Sequence, residues 1–373
     1  MSWIVYAVLG IAVICALGHF DVQLSGRVLG VFLIAEVFIL LLMGAAVLRG
    51  GGPDGLMPHT LDPADSLTAV GGGSAAIGMF FAFWSWVGFE TTAVHGEEYR
   101  NPTRIIPRAT LIVVIAFGAL YTFVSWAAVA GNGAAVAVAI SGGTTGNPFD
   151  LFLGITRSYV GVWAEDVYLV LTVTGSFACA LAFHNSASRY LYAIGREGLQ
   201  RALTPLGTTH DRHRSPYVSS LLQSAVTLLI TLYFYLFQAP TEMAPDVPYY
   251  YEFGLLAIMG TMGILIVQTI TSIAVVWYFH VRGNHPETRF WWRTLLAPLA
   301  GAVGMGWVVY LLFSNLEFAA GAVADSPVYT LTPYLVTGTG VLGVVVALVL
   351  RTVSPPAYQR IGSTVLAESH ERG

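Results

Sequence analysis

The sequence predicts an all-α polytopic membrane protein, and three observations carry that prediction. Hydrophobic residues make up 55% of the 373-residue chain and charged residues only 10%, where a soluble domain carries roughly 25% charged residues to face water. Mean hydropathy is +0.69. The apolar residues fall into nine blocks of a length that crosses a hydrocarbon core, which takes about 20 residues of helix. The same composition excludes a cytosolic enzyme and a disordered chain.

The expected spans are 3–20, 26–48, 74–96, 107–130, 166–188, 217–238, 253–279, 294–314 and 331–350. Each must be a helix, because an open strand leaves backbone groups unpaired in lipid, and the alternating polarity of a membrane β-barrel is absent. The first block starts almost at Met1. It lacks the basic leader and the small-residue cleavage site of a signal peptide, so it reads as a retained span. The second is an aliphatic run interrupted by Glu36, and the third is rich in aromatic residues and holds Glu90. The fourth opens on Pro107, the sixth follows Ser215-Pro216, and the others are runs rich in Val, Leu, Ile, Ala and Gly. Tyr249, Tyr250 and Tyr251, like Trp291 and Trp292, sit at span ends, where aromatic belts form. The segment 131–165 reads as a loop. The transmembrane region is expected over 1–353, with a short cytoplasmic tail over 354–373.

The loops alternate in charge. The turn 21–25, the segments 97–106, 189–216 and 280–293 and the tail, with the flanking span ends, hold 15 of the 17 basic residues; Arg49 and Arg157 are the other two. Positive loops stay in the cytoplasm, so the N-terminus is expected outside and the C-terminus inside. Every basic residue is Arg. A phosphate-binding loop or a Schiff base therefore has no lysine to use. Cys15 and Cys179 lie in apolar stretches, and no Cys/His set has metal spacing. No catalytic residue, cofactor, metal or nucleic-acid partner is expected. Abundant Ala, Gly, Val and Arg without Lys point to a GC-rich genome, hence a bacterial plasma membrane.

Away from the span ends, two carboxylates fall within the membrane, Glu36 and Glu90. A charge there costs about 2.5–3.5 kcal/mol on insertion scales, so such residues usually face an interior pathway. The alternative is a protonated carboxyl bonded to a neighbouring carbonyl. Glu90 follows Phe83-Trp84-Ser85-Trp86-Val87-Gly88-Phe89. Gly88 is a weak point in that helix, and Ser85, Thr91 and Thr92 can satisfy freed backbone groups. A helix broken at midplane offers backbone dipoles to a substrate. His184 reads as an interior residue with a partner.

Gly88-Phe89-Glu90, with the later run from Glu97 through Arg100, Asn101, Pro102, Arg104 and Pro107 to Ala109, resembles the sixth helix and following loop of the amino acid–polyamine–organocation permeases. Asn185, Arg189 and Arg196-Glu197-Gly198 resemble that family's eighth-helix signature, followed by a basic loop and Ser215-Pro216. Leu24-Ser25-Gly26-Arg27-Val28-Leu29 is similar to the turn between the fourth and fifth helices. The resemblance covers essentially the whole chain. It implies a LeuT-like fold of two inverted repeats and a secondary transporter of amino acids or related amines. Such a transporter works by alternating access and is coupled to protons or acts as an exchanger.

On this resemblance the nine spans are similar to helices four to twelve, and helices one to three have no counterpart. The chain alone is then expected to bind amino acids weakly, and the alternative function is a permease fragment without transport or a membrane interaction partner. The resemblance places Trp84, Ser85, Val87, Gly88, Phe89 and Phe183 around the substrate. It puts Glu36 where proton-coupled members often hold a Lys, and so assigns coupling to Glu36 and gating to Glu90. The motif residues Asn101, Pro102, Arg104, Pro107, Asn185, Arg189 and Arg196 are structural on this reading. The expected partners are the lipid bilayer, the small-molecule substrate and protons.

Overall fold

The computed structural model describes residues 2–19, 23–62, 75–94, 101–141, 149–198, 201–211, 215–238, 247–283, 285–317 and 327–361. It is 87% helical, with no strand among the described residues, so the chain is an all-α membrane protein. The helices are α1 (Trp3–His19), α2 (Gln23–Gly50), α3 (Ala75–Trp86), α4 (Thr91–Val94), α5 (Pro102–Asn132), α6 (Ala134–Ser141), α7 (Asp150–Tyr159), α8 (Val162–Glu197), α9 (Tyr217–Phe237), α10 (Val247–Val276), α11 (Ala297–Ser314), α12 (Pro327–Val353) and α13 (Pro355–Arg360). Short π-helical turns, Trp277–Val281 and Trp291–Leu296, extend α10 and precede α11.

Among the described residues, seven segments are long and apolar enough to cross a membrane: Gly30–Gly50, Arg104–Asn132, Val162–Glu197, Tyr217–Phe237, Tyr251–Val281, Trp291–Ser314 and Val328–Val353. α1 is apolar but has 17 residues. The block 74–96 is not one helix, because α3 ends at Trp86 and α4 begins at Thr91. At about 1.5 Å per residue, the 36 residues of α8 exceed a hydrocarbon core of roughly 30 Å, so one end stands clear of it. The segment 131–165, expected as loop, contains α6 and α7 with 8 and 10 residues. They reach only about 12–15 Å. Their Gly-rich flanks hid them from a reading tuned to long apolar runs. Residues 362–373 of the expected tail and 95–100 of the loop motif lie outside the described residues.

The chain divides into two compact units, one of Met1–Val5, Ala69–Val87 and Leu229–Ile361, the other of Tyr6–Thr68, Gly88–Leu228 and Gly362–Gly373. In the second unit, Met43 and Val47 of α2 pack with Val124, Ala127 and Ala128 of α5 and Ile155 of α7. The alanines let the helix backbones approach closely, which drives association where lipid is as apolar as the side chains. Polar ties finish this core. Asn132 donates to the carbonyls of Ala128 and Leu151 at 2.8 and 2.9 Å, and the Tyr159 hydroxyl donates to Gly51 at 2.9 Å. In the first unit, Phe80 of α3, Phe234 of α9, Leu255, Ile258 and Met262 of α10 and Leu312 of α11 form one buried cluster.

The C-terminal end of α8 shows why its signature is rich in glycine. Gly198 takes φ +59 at the C-cap, and its N–H donates to the Gly195 carbonyl at 3.2 Å; the left-handed conformation favours glycine. A Cβ on Gly195 would run into the backbone of Gly207 and Leu206. The missing side chain lets the 3₁₀ turn Arg201–Gly207 fold back on α8. Ser219 of α9 then donates to the Leu206 carbonyl at 2.9 Å.

Candidate functional site

The interruption between α3 and α4 is built from four residues, Val87–Glu90, in a turn. Gly88 has φ +119, a backbone that side-chain-bearing residues rarely adopt. Breaking a helix inside a membrane frees backbone groups, each costing several kcal/mol if left unpaired. The chain pairs several of them itself. The Val87 N–H donates to the Trp84 carbonyl at 3.1 Å. The Gly88 N–H donates to Oε2 of Glu90 at 3.0 Å. The Gly88 carbonyl accepts from the N–H and the hydroxyl of Thr91, at 3.1 and 2.7 Å. The Thr92 hydroxyl donates to the Phe89 carbonyl at 3.0 Å and meets the Thr110 hydroxyl of α5 at 2.7 Å. Ser85 does not join this set: its hydroxyl donates back to Phe81 at 2.9 Å, the i−4 bond of a helical serine.

The division between the compact units falls between Val87 and Gly88, so the expected substrate residues are described in two groups. In the second unit, Gly88 and Phe183 come together. A Cβ at Gly88 would stand 4.0 Å from Cζ of Phe183, whose side chain is 44% exposed. In the first unit, Trp84 belongs to a string of rings. It lies 5.6 Å from Phe81 and 5.6 Å from Phe253, centroid to centroid. Phe253 stacks on Tyr249 at 6.2 Å, and Tyr249 meets Trp3 at 6.3 Å.

Glu36 sits on α2 against α8. Gly175 faces it, and a Cβ there would run into the Glu36 carboxyl. The carboxyl thus occupies the place of a side chain at Gly175. Its Oε1 is buried and has no hydrogen-bond partner among the described residues. An apolar cavity of about 360 Å³ lies between α2 and α5, lined by Val37 and Leu41 of α2 and by Ala116, Phe117 and Phe123 of α5 among others. No polar side chain lines it, so it offers a zwitterionic ligand nothing to bind.

The motif residues take up end positions. Asn101 is the N-cap of α5, and its carbonyl accepts from Arg104 and Ile105 at 3.2 and 3.0 Å. Pro102 opens the helix, where its missing N–H costs nothing, and Pro107 lies inside it. Asn185, Arg189 and Arg196 lie along the last turns of α8, where Arg196 stands 5.4 Å over the Tyr192 ring. His184 is buried and shares a 2.9 Å hydrogen bond with Ser220. Gly18 of α1 closes on both, as a Cβ there would stand 2.6 Å from the Ser220 hydroxyl and 2.9 Å from the His184 ring.

One carboxylate escaped the sequence reading. α10 begins at Val247 rather than at 253, which brings Glu252 into a membrane-length helix. It accepts a 2.7 Å hydrogen bond from Thr231 of α9. The tyrosines 249–251 read as a belt outside the span and masked it; a carboxylate directly after them was the available signal.

The family profile described as amino acid permease matches residues 1–350. The branched-chain amino acid permease BcaP of Bacillus subtilis (strain 168) is 25% identical over 219 residues, 57% of this chain and 42% of that protein. BcaP of Lactococcus lactis subsp. cremoris (strain MG1363) is 27% identical over 197 residues, 50% of this chain and 38% of that one. A methylthioribose transporter of Bacillus subtilis (strain 168) is 22% identical over 239 residues, 62% and 44%. The matched stretches span less than half the length of each of these relatives.

The positive φ of Gly88 makes its substitution costly. Gly88→Ala is expected to lower the stability of the detergent-solubilised chain by about 1–3 kcal/mol, the scale of a strained backbone residue. Gly10→Ala, at a position with open space around it, serves as the control and leaves thermal unfolding unchanged. Equal unfolding midpoints for the two variants would show that residue 88 is not in the observed conformation.

Proposed function

Because the chain belongs to the amino acid permease family, we propose that it acts as a secondary transporter of amino acids or related amines. The family makes it a multi-pass membrane protein and a transporter type rather than an enzyme. The observation that carries the proposal is the interrupted helix, with its Gly88 N–H held by a carboxylate. The backbone N–H that holds the Glu90 carboxylate is of the kind that holds the carboxylate of an amino acid. Two similar proteins are named for branched-chain amino acids, so leucine, isoleucine and valine are the first substrates to test.

In this reading Trp84, Ser85, Val87, Gly88, Phe89 and Phe183 contact the substrate, and alternating access rocks the repeats around the break. Glu90 organises the break and gates it. Glu36 carries the coupling proton. It is a carboxyl without a hydrogen-bonding partner at Oε1, and a glycine on the facing helix makes room for it. The N-terminus lies outside and the C-terminus in the cytoplasm, on the Arg asymmetry. The second reading is a permease-like chain with no transport of its own, a fragment or a membrane partner. Uptake by proteoliposomes holding the 373-residue chain separates the two.

Orientation is tested with a cysteine at Arg201 in a background lacking Cys15 and Cys179. An impermeant thiol reagent should leave it unlabelled in intact cells and label it after lysis. Labelling in intact cells reverses the topology.

The two carboxylates are tested in whichever form of the protein transports. Glu36→Gln is near-isosteric and permanently neutral. It should flatten the pH dependence of uptake while substrate exchange stays measurable. Glu90→Gln weakens the bond from Gly88 and should impair exchange as well, by roughly tenfold or more for a lost charge-assisted hydrogen bond of about 1.5–3 kcal/mol. An unchanged pH profile in Glu36→Gln removes the proton from its role.

A further inference from the structure

The start of α10 carries a group that the proposed transport mechanism does not use. Glu252 is partly buried and lies in a membrane-length segment, Tyr251–Val281. Intramembrane carboxylates are expensive and usually serve a site. It accepts a hydrogen bond from a neutral hydroxyl, that of Thr231, which is itself 3% exposed. No Arg or Lys occurs in residues 1–5, 69–87 or 229–281 of the same compact unit. The first one, Arg282, is roughly 45 Å along the helix at about 1.5 Å per residue. No Arg or Lys side chain of these stretches therefore neutralises Glu252.

The surroundings are aromatic. Tyr249 precedes Glu252 by three residues on α10, and Phe253 follows it. Their rings stack at 6.2 Å with an interplanar angle of 13°. The two residues are 44% and 53% exposed, so part of each ring is left uncovered by the protein. On α9, Tyr235 lies one turn after Thr231, and Trp3 bridges the helices with ring centroids 5.9 Å from Tyr235 and 6.3 Å from Tyr249. A fixed carboxylate beside open aromatic faces is the chemistry that recognises an organic cation. The carboxylate accepts the N–H donors, and the ring quadrupoles attract the charge within about 6 Å of a centroid.

We propose that Glu252, fixed by Thr231 and flanked by Tyr249 and Phe253, is a binding site for a primary ammonium group. Thr231 holds one carboxylate oxygen, and the ammonium engages the carboxylate and the ring faces. For its physiological ligand, the amine of a transported amino acid or diamine, this rests on the transport reading above. The binding itself does not. Because Phe253 also packs on Trp84 at 5.6 Å, an ammonium held here lies beside one of the residues assigned to the substrate.

The test uses the full chain in nanodiscs of zwitterionic phosphatidylcholine and titrates n-butylammonium by calorimetry, with butyrate as the anionic counterpart. The wild-type chain should bind butylammonium saturably and butyrate not at all. Glu252→Gln keeps a carbonyl for Thr231 and removes the charge. It should weaken binding roughly tenfold or more, the scale of one charge-assisted contact. Thr231→Val keeps the charge but frees the carboxylate, and should weaken binding severalfold. Glu287→Gln, on an exposed loop, should bind like wild type. No saturable butylammonium binding by the wild-type chain, or equal affinity in Glu252→Gln, overturns the proposal. Butylammonium binding through Glu252 in a chain that takes up no amino acid leaves the site standing and removes only the transport reading.

Discussion

Lipid offers no partner to an unpaired N–H or C=O, and the unusual local structures of this protein answer that constraint. Where the chain leaves the helical ladder between α3 and α4, Glu90, Thr91 and Thr92 supply the missing partners. Where α8 ends, Gly198 turns left-handed and returns its N–H to Gly195. At the π-helical turns, Thr294 donates to the Phe290 carbonyl at 2.8 Å and meets His280 at 2.9 Å, and His280 accepts from Arg289 at 2.9 Å. The side chains at these places are chosen by what the backbone lacks. That explains why short polar residues appear in a chain that is otherwise so apolar.

Glu90, Glu252 and Glu36 show three ways of accommodating a costly group. Glu90 is used by the backbone it interrupts. Glu252 is fixed by a hydroxyl on the neighbouring helix. Glu36 is given space by a glycine, while one of its oxygens stays without a hydrogen bond. A buried polar atom without a partner costs about 1–3 kcal/mol, and such a cost persists where it serves function. The unpartnered oxygen is in keeping with the proton-carrying role proposed for Glu36.

Much of this was legible from the residues alone. Apolar runs of fixed length placed the helices, because bilayer thickness sets them. Gly88 between aromatic residues and a carboxylate marked the interruption, since glycine there has no packing role to play. The sequence reading failed where the cause lies between distant segments. Gly175 opposite Glu36 depends on how α2 and α8 pack, and no spacing in the chain reports it. Ser85 looked like a partner for the break, but its helical position gave it a nearer carbonyl. Glu252 was hidden because the tyrosines before it suit a helix and an interfacial belt equally well. The helices α6 and α7 fell below the length that a search for membrane spans can see.

The helix is interrupted at residues 87–90, and the side chains of Glu90, Thr91 and Thr92 bond the backbone it frees. Hydrogen–deuterium exchange of the full chain in nanodiscs reads this directly, through peptides covering 84–94. The account predicts exchange in this stretch that is faster than in α2, α5 and α8, and faster again in Glu90→Gln. Protection equal to that of the flanking helices, unchanged by Glu90→Gln, would mean a continuous helix and contradict it.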